Sequence, residues 1–297
     1  MYHKPVLLKE SVNGMLIQPN GTYVDVTFGG GGHSKAILDQ LIEGRLIAFD
    51  QDDDALENAF NDPKFTLVHS NFRQLKNFLQ LYQAIPVDGI LADLGISSHQ
   101  IDDPGRGFST RFENLVDMRM DRRQSNNGAY ILNNYTEDEL IQIFKFYGEL
   151  RNARQIAKVI VEARTKQKIE STTQFKEMLN RCAPKFKEQK FFAQVFQALR
   201  IEVNQELESL KEFLIQAQEV LKPGGRLSVI SYHSLEDRIV KNFLKAGNFE
   251  GVIEKDFYGN PLTDFNLINR KPIIPTDKEI KLNSRARSAK LRIAEKK

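Results

Sequence analysis

The sequence predicts an α/β fold, a parallel sheet domain split by an all-helical insertion. Three observations carry this. Short β-rich apolar runs alternate with helical periodicity through the first third of the chain, the pattern of repeated βα units. From about Gly107 to about Glu206 the periodicity is helical throughout. A strand then returns at "RLSVISYH", beginning at Arg226.

In order, "TYVDVTF" (22–28), "RLIAFD" (45–50), "FTLVHS" (65–70) and "VDGILADLG" (87–95) read as strands, each ending at a polar or glycine residue. The segments "SKAILDQLI", "DDDALENAF" and "NFRQLKNFLQLY" between them carry apolar residues at helical spacing. The insertion holds "EDELIQIFKFYGEL", "RQIAKVIVEARTK", "TTQFKEMLNRC" and one long helical run from Phe191 to Leu221, closed by the turn "KPGG" at Lys222. "SLEDRIVKNFLKAG" is a further helix, and "SAKLRIAE" a final short strand, read as an edge strand. The expected organisation is a sheet domain from 1–106 and 207–297, with a helical domain at 107–206.

With 297 residues, a core domain plus an insertion is the natural size. No run of about 18 apolar residues suggests a membrane span, and the N-terminus lacks the long apolar stretch of a secretory signal. Cys182 is the single cysteine, which excludes an internal disulfide framework and a cysteine-rich zinc site; a cytoplasmic protein is expected. The five histidines form no ligand pair at helical spacing, so no metal is expected. The net charge of +3 is small, but Ile268–Lys297 holds ten Lys or Arg against three Asp or Glu. A second basic cluster comprises Arg106, Arg111, Arg119, Arg122 and Arg123. Such local excess suits a phosphate-rich partner, or else a solvated face.

The stretch "DVTFGGGGHS" at Asp25 places four glycines between a strand and a helix. Turns of this kind let a ligand approach the backbone at a helix N-terminus. A phosphate loop would end in Gly-Lys-Ser/Thr, whereas His33 and Ser34 follow Gly32. The dinucleotide fingerprint would need glycine at Ser34. What remains is an acid in the first strand, Asp25, a glycine turn, and an acid ending the second strand, Asp50, the general layout of S-adenosylmethionine sites. Tight packing by the glycines and helix capping by Asp50 form the structural alternative.

Eight blocks then occur in order: "HKPVLLKES" at His3, "DVTFGGGGHS" at Asp25, "DLGISSHQID" at Asp93, "RGFS" at Arg106, "DMRMD" at Asp117, "QALRIEVNQEL" at Gln197, "GGRLSVISYHSLEDRIVK" at Gly224 and "RARSAKLR" at Arg285. Together they closely resemble the RsmH (MraW) family of 16S rRNA cytosine-N4 methyltransferases over nearly the whole chain. The resemblance implies a class I S-adenosylmethionine-dependent methyltransferase fold. It also implies methyl transfer to the exocyclic amine of a cytidine near the decoding centre of the small ribosomal subunit. The implied cofactor contacts fall on Gly31, Gly32, His33, Asp50, Phe72, Asp93 and Gln100. By spacing alone, Phe72 reads as a core residue and Gln100 as a loop residue. The sequence departs from the family pattern at His99, in "ENLVDMRMD", which lacks the proline the family has before its Leu-Asp-Met, at Leu150 and at Ser284.

Asp93 follows the fourth strand, where amino-methyltransferases place their substrate-binding element, but here without Pro-Pro or an aromatic residue. It is a candidate to accept a hydrogen bond from the amine, or to face the cofactor. Ser97 and Ser98 are candidate base partners. His233 follows the fifth strand and opens toward the same edge. Ser234 with Asp237 three residues on resembles a capping box, which explains the serine without catalysis. "RGFSTRF" (106–112) offers arginines with two rings for phosphate and base contact, with Phe108 equally suited to a core. Arg106, Arg111, Arg119, Arg285, Arg287 and Lys290 are the candidate RNA contacts, with Arg292 beside them. An NAD-dependent oxidoreductase, a non-enzymatic ribosome-binding factor and a DNA-modifying enzyme are the competing readings, and a homodimer is compatible with the chain.

Overall fold

A computed structural model describes residues 5–111 and 113–297. His3 of the first block and Phe112 of "RGFSTRF" lie outside the described residues. The chain divides into two units, Met1–Gly95 with Leu207–Lys297, and Ile96–Glu206.

The first unit is built on a seven-stranded sheet: β1 Thr22–Asp25, β2 Arg45–Asp50, β3 Phe65–His69, β4 Val87–Asp93, β5 Leu221–Ser231, β6 Phe265–Leu267 and β7 Lys290–Lys296. Strand order is β3-β2-β1-β4-β5-β7-β6. The first five strands run parallel, and β7 pairs antiparallel with both β5 and β6. The order reverses between β1 and β4, the switch point where open α/β sheets bind ligands beyond their carboxyl edge. Both faces are covered, so the strands read as near-continuous apolar runs. Val24, Ile47, Ile90 and Leu227 pack on one face with Leu210, Phe213 and Ala217. Tyr23, Leu46 and Leu91 pack on the other with Val12, Met15 and Ile37. Each such fully buried Leu or Ile side chain contributes roughly 1.5–3 kcal/mol.

Several expectations change. The turn "KPGG" does not separate a helix from a strand. Val87 already pairs with Leu221 and Gly89 with Arg226, so Lys222–Gly225 bulge from one continuous strand, with Gly224 at φ +77°. The long helical run is two helices, Glu188–Asn204 and Glu206–Val220, broken where Gln205 turns to φ 49°. "DDDALENAF" shortens to a helix over Asp53–Leu56, with the Asp52 side chain accepting from the Asp54 N–H. "EDELIQIFKFYGEL" is helical from Glu137 to Gln142 and then widens into a π-helical turn, Ile143–Tyr147. β6 has no counterpart among the expected strands. Its presence makes β7 an interior strand, not an edge, and its residues Leu291 and Ile293 are buried.

The second unit begins at Ile96, ahead of the boundary expected at Gly107, because Ile96 already packs on this unit's own core. That core holds Leu132, Phe144, Ile156, Ile160, Phe175 and Leu199, all essentially inaccessible. Among its described residues it has no strand, only an isolated bridge between Leu115 and Ser171. Among all described residues, no helix is long and apolar enough to cross a membrane.

Candidate functional site

At the carboxyl edge of β1 and β2 the glycine turn and Asp50 are joined. The Gly29 N–H donates to Asp50 Oδ2 at 2.7 Å and the Asp52 N–H to Oδ1 at 2.9 Å. Each carboxylate oxygen therefore keeps acceptor capacity for another donor. Gly29 sits at φ +51°, and a Cβ there would meet nothing within 4 Å. Gly31 and Gly32 answer to packing instead. At Gly31 (φ +74°) a Cβ would press on the Phe60 and Phe28 rings, and at Gly32 it would strike Pro5 at 2.1 Å. An open backbone beside a two-acceptor carboxylate fits a nucleoside whose ribose offers a vicinal diol. Burial pushes the Asp50 pKa up to about 6 against the two backbone hydrogen bonds.

Asp25 does not face this opening. It is fully buried and binds the turn to the following helix, Gly32–Leu38, by accepting from Ser34 Oγ at 2.7 Å and from the Thr27 N–H at 3.0 Å. The same bond explains why Ser34 stands where a dinucleotide turn would have glycine. Burial holds Asp25 above the usual carboxylate range, offset in part by His33. His33 is buried too, its Nε2 3.1 Å from the Val6 carbonyl oxygen and its Nδ1 3.7 Å from Asp93 Oδ2.

Asp93 ends β4 across the switch point. Its N–H donates to Thr27 Oγ1 at 2.7 Å, and its Oδ1 accepts from the Tyr232 hydroxyl at 2.7 Å. The side chain stays 22% exposed. Burial raises its pKa to about 6, with His33 and the Tyr232 hydroxyl pulling the other way. Tyr232 is itself pushed well above its usual pKa by burial and by the Asp93 charge. Sequence reasoning missed Tyr232, although it stands beside His233. The available signal was a ring placed directly after a buried strand end, Ser231, on the edge where Asp93 lies.

Around this centre the remaining candidates take varied positions. Phe72 opens a 3₁₀ turn, Phe72–Gln74, where it is half-buried and packs edge-on to Phe213 at 5.4 Å. Its loop is tied to the one after Asp50 by an Asn71 to Gln51 side-chain bond of 2.7 Å. His233, not Ser234, is the N-cap of the helix Ser234–Ala246, and Glu236, not Asp237, is the third helical residue. The buried Glu236 Oε2 accepts from the Tyr232 N–H at 2.9 Å and the His233 N–H at 3.3 Å. Asp237 instead binds Arg292 at 2.7 Å and Lys290 at 3.1 Å, so these two cations are engaged within the sheet unit. Arg285 is half-buried in the 3₁₀ turn Ser284–Ser288, and Arg287 is exposed there.

In the helical unit, Ser97 and Gln100 form a reciprocal capping box for the helix Ser98–Asp102, at 3.1 and 2.9 Å. That accounts for Ser97 and for the burial of Gln100 without a ligand; Ser98 is half-exposed. Arg106 is buried, donates to the carbonyls of Arg119 and Met120, and lies 5.8 Å over the Phe108 ring, so it braces its own loop. Arg119 is a two-pronged partner of Asp117 at 2.7 and 2.8 Å and donates to two carbonyls. Arg111 is exposed, 3.6 Å from Asp102, and Arg123 pairs with Asp121 at 2.8 Å.

The model of the MraW methylase family matches residues 1–297. The ribosomal RNA small subunit methyltransferase H of Bacteroides fragilis is 59% identical over 297 residues, covering 100% of this chain and 98% of that protein. The proteins of the same name from Flavobacterium johnsoniae and Cytophaga hutchinsonii are each 57% identical, covering 98% and 100% of their own lengths and 99% and 100% of this chain. A crystal structure of an rRNA methylase from Streptococcus thermophilus aligns over 100% of this chain and 98% of that one, at 12% identity and a TM-score of 0.45.

Proposed function

Since the chain belongs to the MraW methylase family, we propose that it transfers a methyl group from S-adenosylmethionine to the exocyclic N4 amine of a cytidine in 16S rRNA, near the decoding centre. The reading places the work in the cytoplasm, with the helical unit helping to recognise the RNA. The observation that carries it is the pair of carboxylates Asp50 and Asp93, at the ends of β2 and β4, flanking an open glycine turn. Asp50 would hold the ribose hydroxyls with its free acceptor capacity, and Gly29 would admit the ligand to the backbone. When bound, S-adenosylmethionine supplies an electrophilic methyl group on a sulfonium.

A cytosine amine is a poor nucleophile because its lone pair is delocalised into the ring. Asp93 addresses this by accepting one amine N–H, which favours a pyramidal nitrogen and stabilises the positive charge that develops there. Tyr232 holds one carboxylate oxygen and thereby orients the other. With a pKa of about 6, Asp93 is mostly ionised at neutral pH and able to accept. Holding nitrogen and methyl in line supplies much of the remaining acceleration. The target base must be unpaired or flipped out to reach this edge.

The test is transfer of radiolabel from S-adenosylmethionine to small subunits from cells lacking the gene, with naked rRNA alongside. Label on a single cytidine N4, lost in Asp93→Asn with cofactor binding kept, is the expected result. Label at another atom, or none on either substrate, rejects the reading.

A further inference from the structure

Beyond the carboxylate pair lies a cavity of about 310 Å³ within the sheet unit, lined by Tyr232, His233 and Ser234 at one side, Ile274, Pro275 and Ile280 at another, and Arg287 to Lys290. Its volume is at the lower end for small-ligand sites, roughly 300–1,000 Å³. Neither Asp50 nor Asp93 lines it, so it is not the place of methyl transfer; Tyr232 belongs to both. We propose that this cavity holds a nucleotide of the RNA strand flanking the target cytidine, its base against the isoleucine wall and its phosphate at Arg287.

Two features select that ligand. The apolar wall of Ile274, Pro275 and Ile280 suits the face of a flat heterocycle. Charge then fixes the polarity of the ligand. The positive end of the helix Ser234–Ala246 is offset by Glu236 and Asp237 in its first turn, and Lys290 is spent on Asp237. A phosphate is therefore disfavoured at the helix and favoured at the exposed Arg287.

The proposal rests on the rRNA reading, and its test separates the two. The KM for small subunits would be measured against salt for the wild type, Arg287→Ala and Ile280→Trp, the last filling the cavity. S-adenosylmethionine affinity would report folding. Both variants should raise KM about tenfold with cofactor affinity kept, and Arg287→Ala alone should lower the log–log salt slope by about 0.7–0.9, as for one lost phosphate contact. In parallel, 4-thiouridine-substituted 16S rRNA should photo-crosslink to the 274–290 segment or to Tyr232. KM within twofold of wild type in both variants, or crosslinks confined to other segments, would overturn the cavity assignment while leaving methylation standing. Crosslinks at the cavity with no methyl transfer by the wild type would instead remove the methylation reading and keep the binding site.

Discussion

Asp93 carries opposite demands. Its proposed role asks for an ionised carboxylate, and burial opposes one, which sets its pKa at about 6. With S-adenosylmethionine saturating, so that Asp50 does not limit, kcat should fall as pH drops below about 6 and level off above 7. Asp93→Asn should flatten that limb and lower kcat by about 10²–10³. Tyr232→Phe removes a hydrogen bond that favours the charged form, so the limb should move to higher pH with kcat at pH 8 largely retained. A limb that stays in place would deny Tyr232 its orienting role. The same burial bears on stability. A carboxyl whose folded pKa is raised favours the native state while protonated, and that contribution is lost as pH rises from the unfolded value of 3.8 to about 6. Above that range the ionised Asp93 costs up to about 3 kcal/mol, less for its partial exposure. Thermal melts should therefore show Asp93→Asn more stable than wild type at pH 8 and no more stable at pH 4. Asp50 and Asp93 could be read from the sequence as strand-end groups and Asp25 as an acid within the first strand, which the structure ends at that residue. Their division of labour could not, because Asp25 and Asp50 differ only in which way a β-strand side chain points and in what Ser34 and Gly29 do with it.

At the scale of elements, the parallel strands followed from apolar runs alternating with amphipathic helices. What escaped were places where one residue's backbone overrides periodicity. Gln205 turns left-handed inside an unbroken apolar pattern, and "KPGG" bulges from a strand without ending it. Both signals are local dihedrals, invisible to a pattern of side-chain polarity. The arginine cluster was misjudged for a related reason: Arg106 and Arg119 are spaced like surface cations but serve as donors to their own loop's carbonyls. Phe186 illustrates how a backbone outlier can be relieved. It precedes the helix Glu188–Asn204 at φ 66° with its ring 97% exposed, so it bears left-handed strain without compensating burial. Phe186→Gly should stabilise the chain by about 0.5–1 kcal/mol, visible as a rise in the urea midpoint with an unchanged m-value. A fall would mean that the ring packs in solution.

For the whole molecule, the decisive point is that apolar clusters respect the two units. The cluster built around Phe144, Phe175 and Leu199 draws only on residues between Ile96 and Val203, while the two clusters covering the sheet draw on residues up to Leu94 and from Leu210 onward. A domain that owns its core can in principle fold alone. The groups proposed to serve the cofactor, Gly29 and Asp50, and those proposed to serve the amine, Asp93 with Tyr232, all belong to the sheet unit. Joining Gly95 to Leu207 through a short glycine-serine linker, with 96–206 removed, should therefore leave a cooperatively melting protein that binds S-adenosylmethionine within about tenfold of the full chain. Calorimetric titration measures that directly. Methyl transfer to small subunits should be lost if the helical unit has the part in RNA recognition proposed for it. A shortened protein that folds and still methylates small subunits at the full rate would confine RNA recognition to the sheet unit and its cavity. One that fails to melt cooperatively would mean that the sheet unit needs the insertion to hold its own strands together.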